Sequence, residues 1–145
     1  MIRNLKDSDQ VAWRALFQAY GVFYETDFTD DVLDRVWRLL LEPSSGINAL
    51  IAEVDGTAVG FAHYRSHPDT FTGGRDWFLD DLYVSPDARG TGLATALIEH
   101  LAGVARAAGA TGTLRWITAA DNARAQRVYD RIATKTTWVT YELAL

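Results

Sequence analysis

Apolar positions recur with helical spacing in the first third of the chain and with strand spacing through its middle. Trp13, Leu16, Phe17 and Tyr20 fall on one helical face, which predicts an amphipathic helix entered through Asp7-Ser8. Leu33, Val36, Trp37 and Leu40 repeat that spacing, and Pro43 sets the end of a second helix. A short strand near Ile2–Leu5 precedes both. The apolar runs Ile47–Val54 and Ala58–Tyr64, joined by Asp55-Gly56, read as a hairpin. A loop containing Pro68 and Gly73-Gly74 then leads to Trp77–Val84, a third antiparallel partner.

Ser85-Pro86-Asp87 closes that strand, and the alanine- and leucine-rich stretch Gly92–Ala108 predicts a helix with Leu93, Leu97, Leu101 and Val104 on one face. Thr113–Thr118 follows as a strand. Asp121-Asn122 caps a further helix with Ala125, Val128, Tyr129 and Ile132 inward, and Thr136–Leu143 reads as a final strand or hairpin. The predicted order is β-α-α-β-β-β-α-β-α-β. Strand, turn, helix and strand from 77 to 118 form a crossover unit, so the sheet should be mixed and twisted. No linker, repeat or low-complexity break interrupts the chain, and 1–145 reads as one domain.

Composition supports one ordered core: 145 residues, 48% hydrophobic and 23% charged, with only 3 prolines. No run is apolar enough to span a bilayer, and the charged first ten residues do not resemble a signal peptide, so the expectation is a soluble cytoplasmic protein without a membrane partner. The absence of cysteine excludes a disulfide framework, a thiolate metal site and a cysteine nucleophile. His63 and His67 stand across a strand and a loop and form no metal face; His63 is expected in the core or lining a cavity, and no metal is expected. Residues 1–88 carry 15 acids and 7 bases (net −8) and residues 89–145 carry 4 acids and 7 bases (net +3), summing to −5. The acidic half disfavours nucleic acid as a partner. The asymmetry suits an anionic ligand on the C-terminal half and a cationic one on the N-terminal half.

The sharpest local signal is Arg89-Gly90-Thr91-Gly92-Leu93-Ala94-Thr95, a strand-to-helix turn. Such a turn gathers free backbone N–H groups at the positive end of a helix, where they bind anions. Its glycines let a pyrophosphate approach the backbone, and Arg89 adds charge. A dinucleotide fingerprint would need glycine at Thr95, and a P-loop would need a Gly-Lys-Ser/Thr sequence that is absent.

Arg89, Gly92 and Ala94, behind Leu-Tyr-Val-x-Pro at 82–86, resemble the acetyl-CoA motif of the GCN5-related N-acetyltransferase superfamily. Asn122, Ala125 and Tyr129 resemble its second motif, although Ile132-Ala133-Thr134 replaces the usual Leu-Gly-Phe. The resemblance implies an α/β (α+β) fold, a mixed, twisted sheet of roughly six or seven strands flanked by about four helices. It also implies acetyl-CoA as acetyl donor, its pyrophosphate held by N–H groups of 89–95. The strand at 82–84, with Leu82, Tyr83 and Val84, would carry a bulge; Val84 would pair with the pantetheine arm and Leu82 N–H would face the thioester carbonyl. Asn122 would contact pantetheine and Tyr129 would protonate the departing thiolate.

Amine attack on a thioester needs a neutral amine, an oxyanion donor and an acid for sulfur, but no covalent enzyme intermediate. Phe78–Val84 is similar to the corresponding strand of spermidine/spermine acetyltransferases, which places Asp80 as a water-linked base and Asp81 as an amine-binding carboxylate. Strand alternation points these two acids in opposite directions unless a bulge intervenes. Tyr24–Asp31 mixes acids with aromatics, so Glu25 and Asp27 are further candidates for holding a cationic acceptor. The reading is acetyl transfer to a small cationic amine such as a polyamine or diamine. Protein or peptide acetylation, a silent CoA-binding module and a homodimer are the alternatives left open.

Overall fold

The computed structural model describes residues 1–145 as a five-stranded sheet with helices on both faces. Strands β1 (Ile2–Asn4), β2 (Ile47–Val54), β3 (Thr57–Pro68), β4 (Arg75–Val84) and β5 (Leu114–Arg115) lie side by side in chain order. The pairings from β1 to β4 are antiparallel, and β5 runs parallel to β4 through the crossover. Helices α1 (Gln10–Phe23) and α2 (Asp30–Leu41) precede the long hairpin, α3 (Leu93–Ala107) makes the crossover, and α4 (Ala123–Tyr129) follows β5. No helix is long and apolar enough to cross a membrane.

Each face of the sheet has its own apolar cluster. On one, Trp13, Leu16 and Phe17 of α1 and Leu33 and Trp37 of α2 pack on Ile51, Phe61 and Tyr83. On the other, Leu97, Ile98, Leu101 and Ala105 of α3 pack on Leu50, Ala62, Leu79 and Val84. Burial on both sides explains why the central strands read as continuous apolar runs rather than as clean alternation. Removing a fully buried anchor such as Trp13 or Leu97 would cost about 3–5 kcal/mol, through lost transfer energy and the cavity left behind.

The Asp55-Gly56 hairpin forms as the pattern predicts, both residues having positive φ (50° and 76°) as a primed turn requires. Three expectations are corrected. Asp7-Ser8 does not cap α1: residues 7–9 form a single 3-10 turn. The Asp9 carboxylate instead accepts from Arg3 at 2.7 and 2.8 Å and from the Lys6 N–H at 2.7 Å. Arg3 also binds Glu53, which ties the start of α1 to the β1–β2 edge. The sheet has five strands rather than six or seven, and β5 spans Leu114–Arg115 instead of Thr113–Thr118. Thr136–Leu143 adds no strand; Trp138 and Tyr141 there are 87% and 91% exposed. Strand propensity without a neighbouring ladder leaves backbone groups to water, so the segment stays outside the sheet.

Candidate active site

β4 and β5 pair only at Trp77↔Leu114 and Phe78↔Arg115 and then separate. Past that point β4 has a partner on one side only. The Ser85 N–H donates to the Val59 carbonyl at 2.8 Å, which fixes the antiparallel alternation: Tyr83 and Asp81 bond to β3, while Leu82 and Val84 turn their N–H and C=O groups into the gap. The Val84 carbonyl accepts from Arg89 Nε at 2.9 Å.

In the β3–β4 register His63 faces Asp81 and Tyr64 faces Leu79, so Asp80 has no opposite number and forms a bulge. The bulge expected at 82–84 therefore lies earlier, and it changes which way two acids point. Asp81 meets His63 and Asp80 meets Arg65, two positions apart on β3 and hence on one face. Both acids consequently lie on the α1 side of the sheet. Arg65 Nε donates to both oxygens of Asp80, at 3.0 and 3.1 Å, with its guanidinium over the Phe78 ring. The position expected of a base is thus occupied by an ion pair.

The strand-to-helix turn has the geometry of an anion cradle. Gly90 (φ 80°) and Gly92 (φ 84°) take left-handed conformations that open the backbone ahead of α3. No carbonyl of the chain accepts from the N–H groups of Gly90 to Thr95, which stand at the positive end of α3. The Thr91 hydroxyl donates to the Ala88 carbonyl at 2.7 Å, bracing the turn. The guanidinium of Arg89 lies over the Tyr83 and Phe23 rings, 5.7 and 5.8 Å from their centroids.

These parts surround one cavity of about 300 Å³. Leu82, Tyr83 and Val84 line it from β4, Arg89, Gly90 and Gly92 to Thr95 from the turn, and Asn122 and Tyr129 from α4. Thr91 turns away, and Asp80, Asp81, Glu25 and Asp27 are not in its wall. Glu25 and Asp27 are exposed in the α1–α2 connection. Asn122 Oδ1 accepts the Ala125 N–H at 3.2 Å and so caps α4 while it borders the cavity. Tyr129 stands edge-on to Trp116, centroids 5.3 Å apart. Burial, then the neighbouring Tyr24, pushes its phenol up from the ordinary value, so it stays protonated at neutral pH.

Pattern reading did not assign the aromatic wall opposite Tyr129. Tyr20, Phe23 and Tyr24 at the end of α1 line the cavity, as do Arg124 and Arg131. The helical face carrying Trp13 and Tyr20 signalled core, and only the fold brings its last turn beside Leu82. The His63 contacts were equally hidden, because Trp13 and Asp81 lie 50 and 18 positions away in the chain. His63 accepts from Trp13 at Nε2 (2.9 Å) and meets Asp81 Oδ2 at Nδ1 (2.9 Å). Burial alone would push the Asp81 carboxyl up; hydrogen bonding from His63, and a further pull from Tyr20, outweigh it and hold the group below the usual carboxylate range.

Residues 12–133 match the sequence profile of the Acetyltransferase (GNAT) family. The chain is 31% identical over 144 residues to the D-amino-acid N-acetyltransferase HPA3 of Saccharomyces cerevisiae, covering 98% of this chain and 89% of that one. A ribosomal-protein-alanine N-acetyltransferase from Brucella melitensis biovar Abortus 2308 superposes with a TM-score of 0.83 at 28% identity, covering 100% and 99% of the two chains. AAC(6')-Iy, crystallised with the bisubstrate analogue CoA-S-monomethyl-acetylneamine, shares the fold at a TM-score of 0.86 and 23% identity, covering 100% of this chain and 97% of that one.

Proposed function

The chain belongs to the acetyltransferase (GNAT) family and is an acetyl-CoA-dependent N-acetyltransferase, and from that premise we propose that its acceptor is the primary amine of a small molecule, seated by Asp81. One observation carries the reading: a single cavity joins the free N–H turn, the outward-facing Leu82 backbone and the Tyr129 phenol. The turn and α3 hold the pyrophosphate of the donor, which supplies an activated acetyl thioester. Leu82 N–H stabilises charge developing on the thioester oxygen. Tyr129, kept protonated by burial, gives its proton to the departing thiolate. The acceptor enters as an ammonium of pKa about 10.4, loses one proton to solvent beside Asp81 and attacks directly; the C–N bond forms as the C–S bond breaks, and the second proton leaving the nitrogen restores the Tyr129 phenol.

An amino-acid amine fits the acceptor side best. Asp81, beside Leu82, pairs with no Lys or Arg of the chain, whereas Arg65 holds Asp80. The relationship to a D-amino-acid N-acetyltransferase supports the same class. A polyamine is the second reading, favoured by the exposed Glu25 and Asp27 beyond the aromatic wall, where a second ammonium would find charge. The exposed apolar C-terminal segment supports a homodimer, and a single-protomer mass in sedimentation at micromolar concentration would remove that expectation.

The test is release of free thiol from acetyl-CoA with D- and L-amino acids, spermidine, an aminoglycoside and short peptides offered in parallel. Turnover greatest with an amino acid supports the reading. Turnover confined to spermidine selects the second, and turnover confined to peptides overturns both.

A further inference from the structure

Trp13, His63 and Asp81 form a hydrogen-bonded line from the core under α1 to the bulge of β4. An indole N–H can only donate, so Nε2 of His63 must accept from it. The neutral ring then carries its proton on Nδ1 and donates it to Asp81 Oδ2. A second proton at Nε2 would set N–H against N–H and orphan the Trp13 donor where both side chains are buried. A histidine beside a carboxylate ordinarily gains a proton and cancels that charge. Here the Trp13 donor already occupies the nitrogen that would take that proton.

No Lys or Arg of the chain pairs with Asp81. The groups acting on it are His63 of β3 and the Tyr20 phenol of α1; Arg65 of β3 is committed to Asp80 of β4, and Arg89, Arg124 and Arg131 line the adjoining cavity without pairing to Asp81. Phe17 and Phe61 enclose the imidazole, with centroids 5.0 and 4.6 Å from it. The Asp81 side chain is 25% exposed, with Oδ2 held by His63 and the Tyr20 phenol also bonding to the carboxylate.

We propose that Trp13 and His63 are positioning residues that keep Asp81 an uncompensated anion, leaving the acceptor's own ammonium as its counter-ion. The proposal rests on the reading that Asp81 seats the acceptor. It assigns Trp13 a function beyond packing: the indole nitrogen, through His63, sets the charge met by the amine.

Two readouts test it. Nitrogen NMR of the ring in the full-length protein, assigned with His63→Gln, should show His63 neutral and Nδ1-protonated from pH 5 to 8. In Trp13→Phe, His63 should become an imidazolium in that range. With D-alanine as the acceptor probe, that variant should raise the acceptor KM about tenfold while leaving kcat and the acetyl-CoA KM within about twofold. Glutamine can accept from Trp13 and donate to Asp81 but cannot be charged, so His63→Gln should stay within about threefold of the parent, whereas His63→Leu should not. A wild-type His63 that titrates to imidazolium between pH 5 and 8 overturns the proposal. So does a Trp13→Phe protein whose acceptor KM is unchanged although His63 is charged, or a Gln variant as impaired as the Leu one. If Asp81→Asn leaves the acceptor KM unaltered, the seating reading fails, and the ring spectra show separately whether Trp13 fixes the tautomer.

Discussion

The sides proposed for donor and acceptor are built from different materials. At the donor end, Gly90 to Thr95 offer backbone N–H groups and Leu82 and Val84 offer strand backbone, so the working atoms belong to no particular side chain. The acceptor side we propose instead relies on side chains from three elements, Tyr20 on α1, His63 on β3 and Asp81 on β4, of which only Tyr20 lines the cavity. A backbone site is disturbed by changing the path of the chain. A side-chain site is disturbed by changing charge or a single donor.

That contrast can be broken or sharpened by substitution. Tyr129 belongs to neither material alone, because it is one side chain acting at the donor end. Tyr129→Phe should lower kcat by about 10²–10⁴-fold with acetyl-CoA binding by calorimetry unchanged; unchanged turnover would remove it from the acid role. Asp81→Asn should reduce kcat/KM for the acceptor by about tenfold to a hundredfold and spare the acetyl-CoA KM. A loss falling equally on both substrates would break the division of labour. Gly92→Ala forces a Cβ into a φ of 84°, at about 1–2 kcal/mol, and should raise the acetyl-CoA KM by roughly tenfold while the acceptor KM stays put. Crowding cannot explain such a loss, since a Cβ at Gly92 meets nothing within 4 Å.

Stability should follow the two acids whose carboxyls are held low. Arg3 holds the Asp9 carboxyl below its ordinary value, and His63 does the same for Asp81. A depressed carboxyl contributes stability that is present above its unfolded value, about 3.9, and is lost as pH falls through the lower folded value. Thermal melts should therefore drop steeply below about pH 4, and Asp9→Asn should be less stable at pH 7 yet less sensitive to acid. The smallest effect is expected from Asp80→Asn. With Arg65 holding both of its oxygens, activity should change less than about threefold and the pH–rate profile should keep its position. A displaced profile would return Asp80 to the role of proton relay.

Much of the fold was legible because it rests on local rules. Helical spacing located α1, α2 and α3, Asp55-Gly56 located the hairpin, and Gly90 and Gly92 located the turn ahead of α3. The terminal strands were not legible, since Thr113–Thr118 and Thr136–Leu143 have strand composition but pair hardly or not at all. Strand propensity reports how a side chain suits a pleated surface and is silent on whether a neighbour is there.

The sequence by itself determined the order of elements as far as α4 and a glycine turn ahead of α3, because spacing and glycine conformations act within a few residues. Tertiary structure alone decided how Asp80 and Asp81 are held. The bulge at Asp80 turned two consecutive acids onto one face, Arg65 claimed the first, and Trp13 fixed the histidine that holds the second. Each of those outcomes depends on which residue of a distant strand or helix stands opposite, and pairing across 15 to 50 positions is not written in any local pattern.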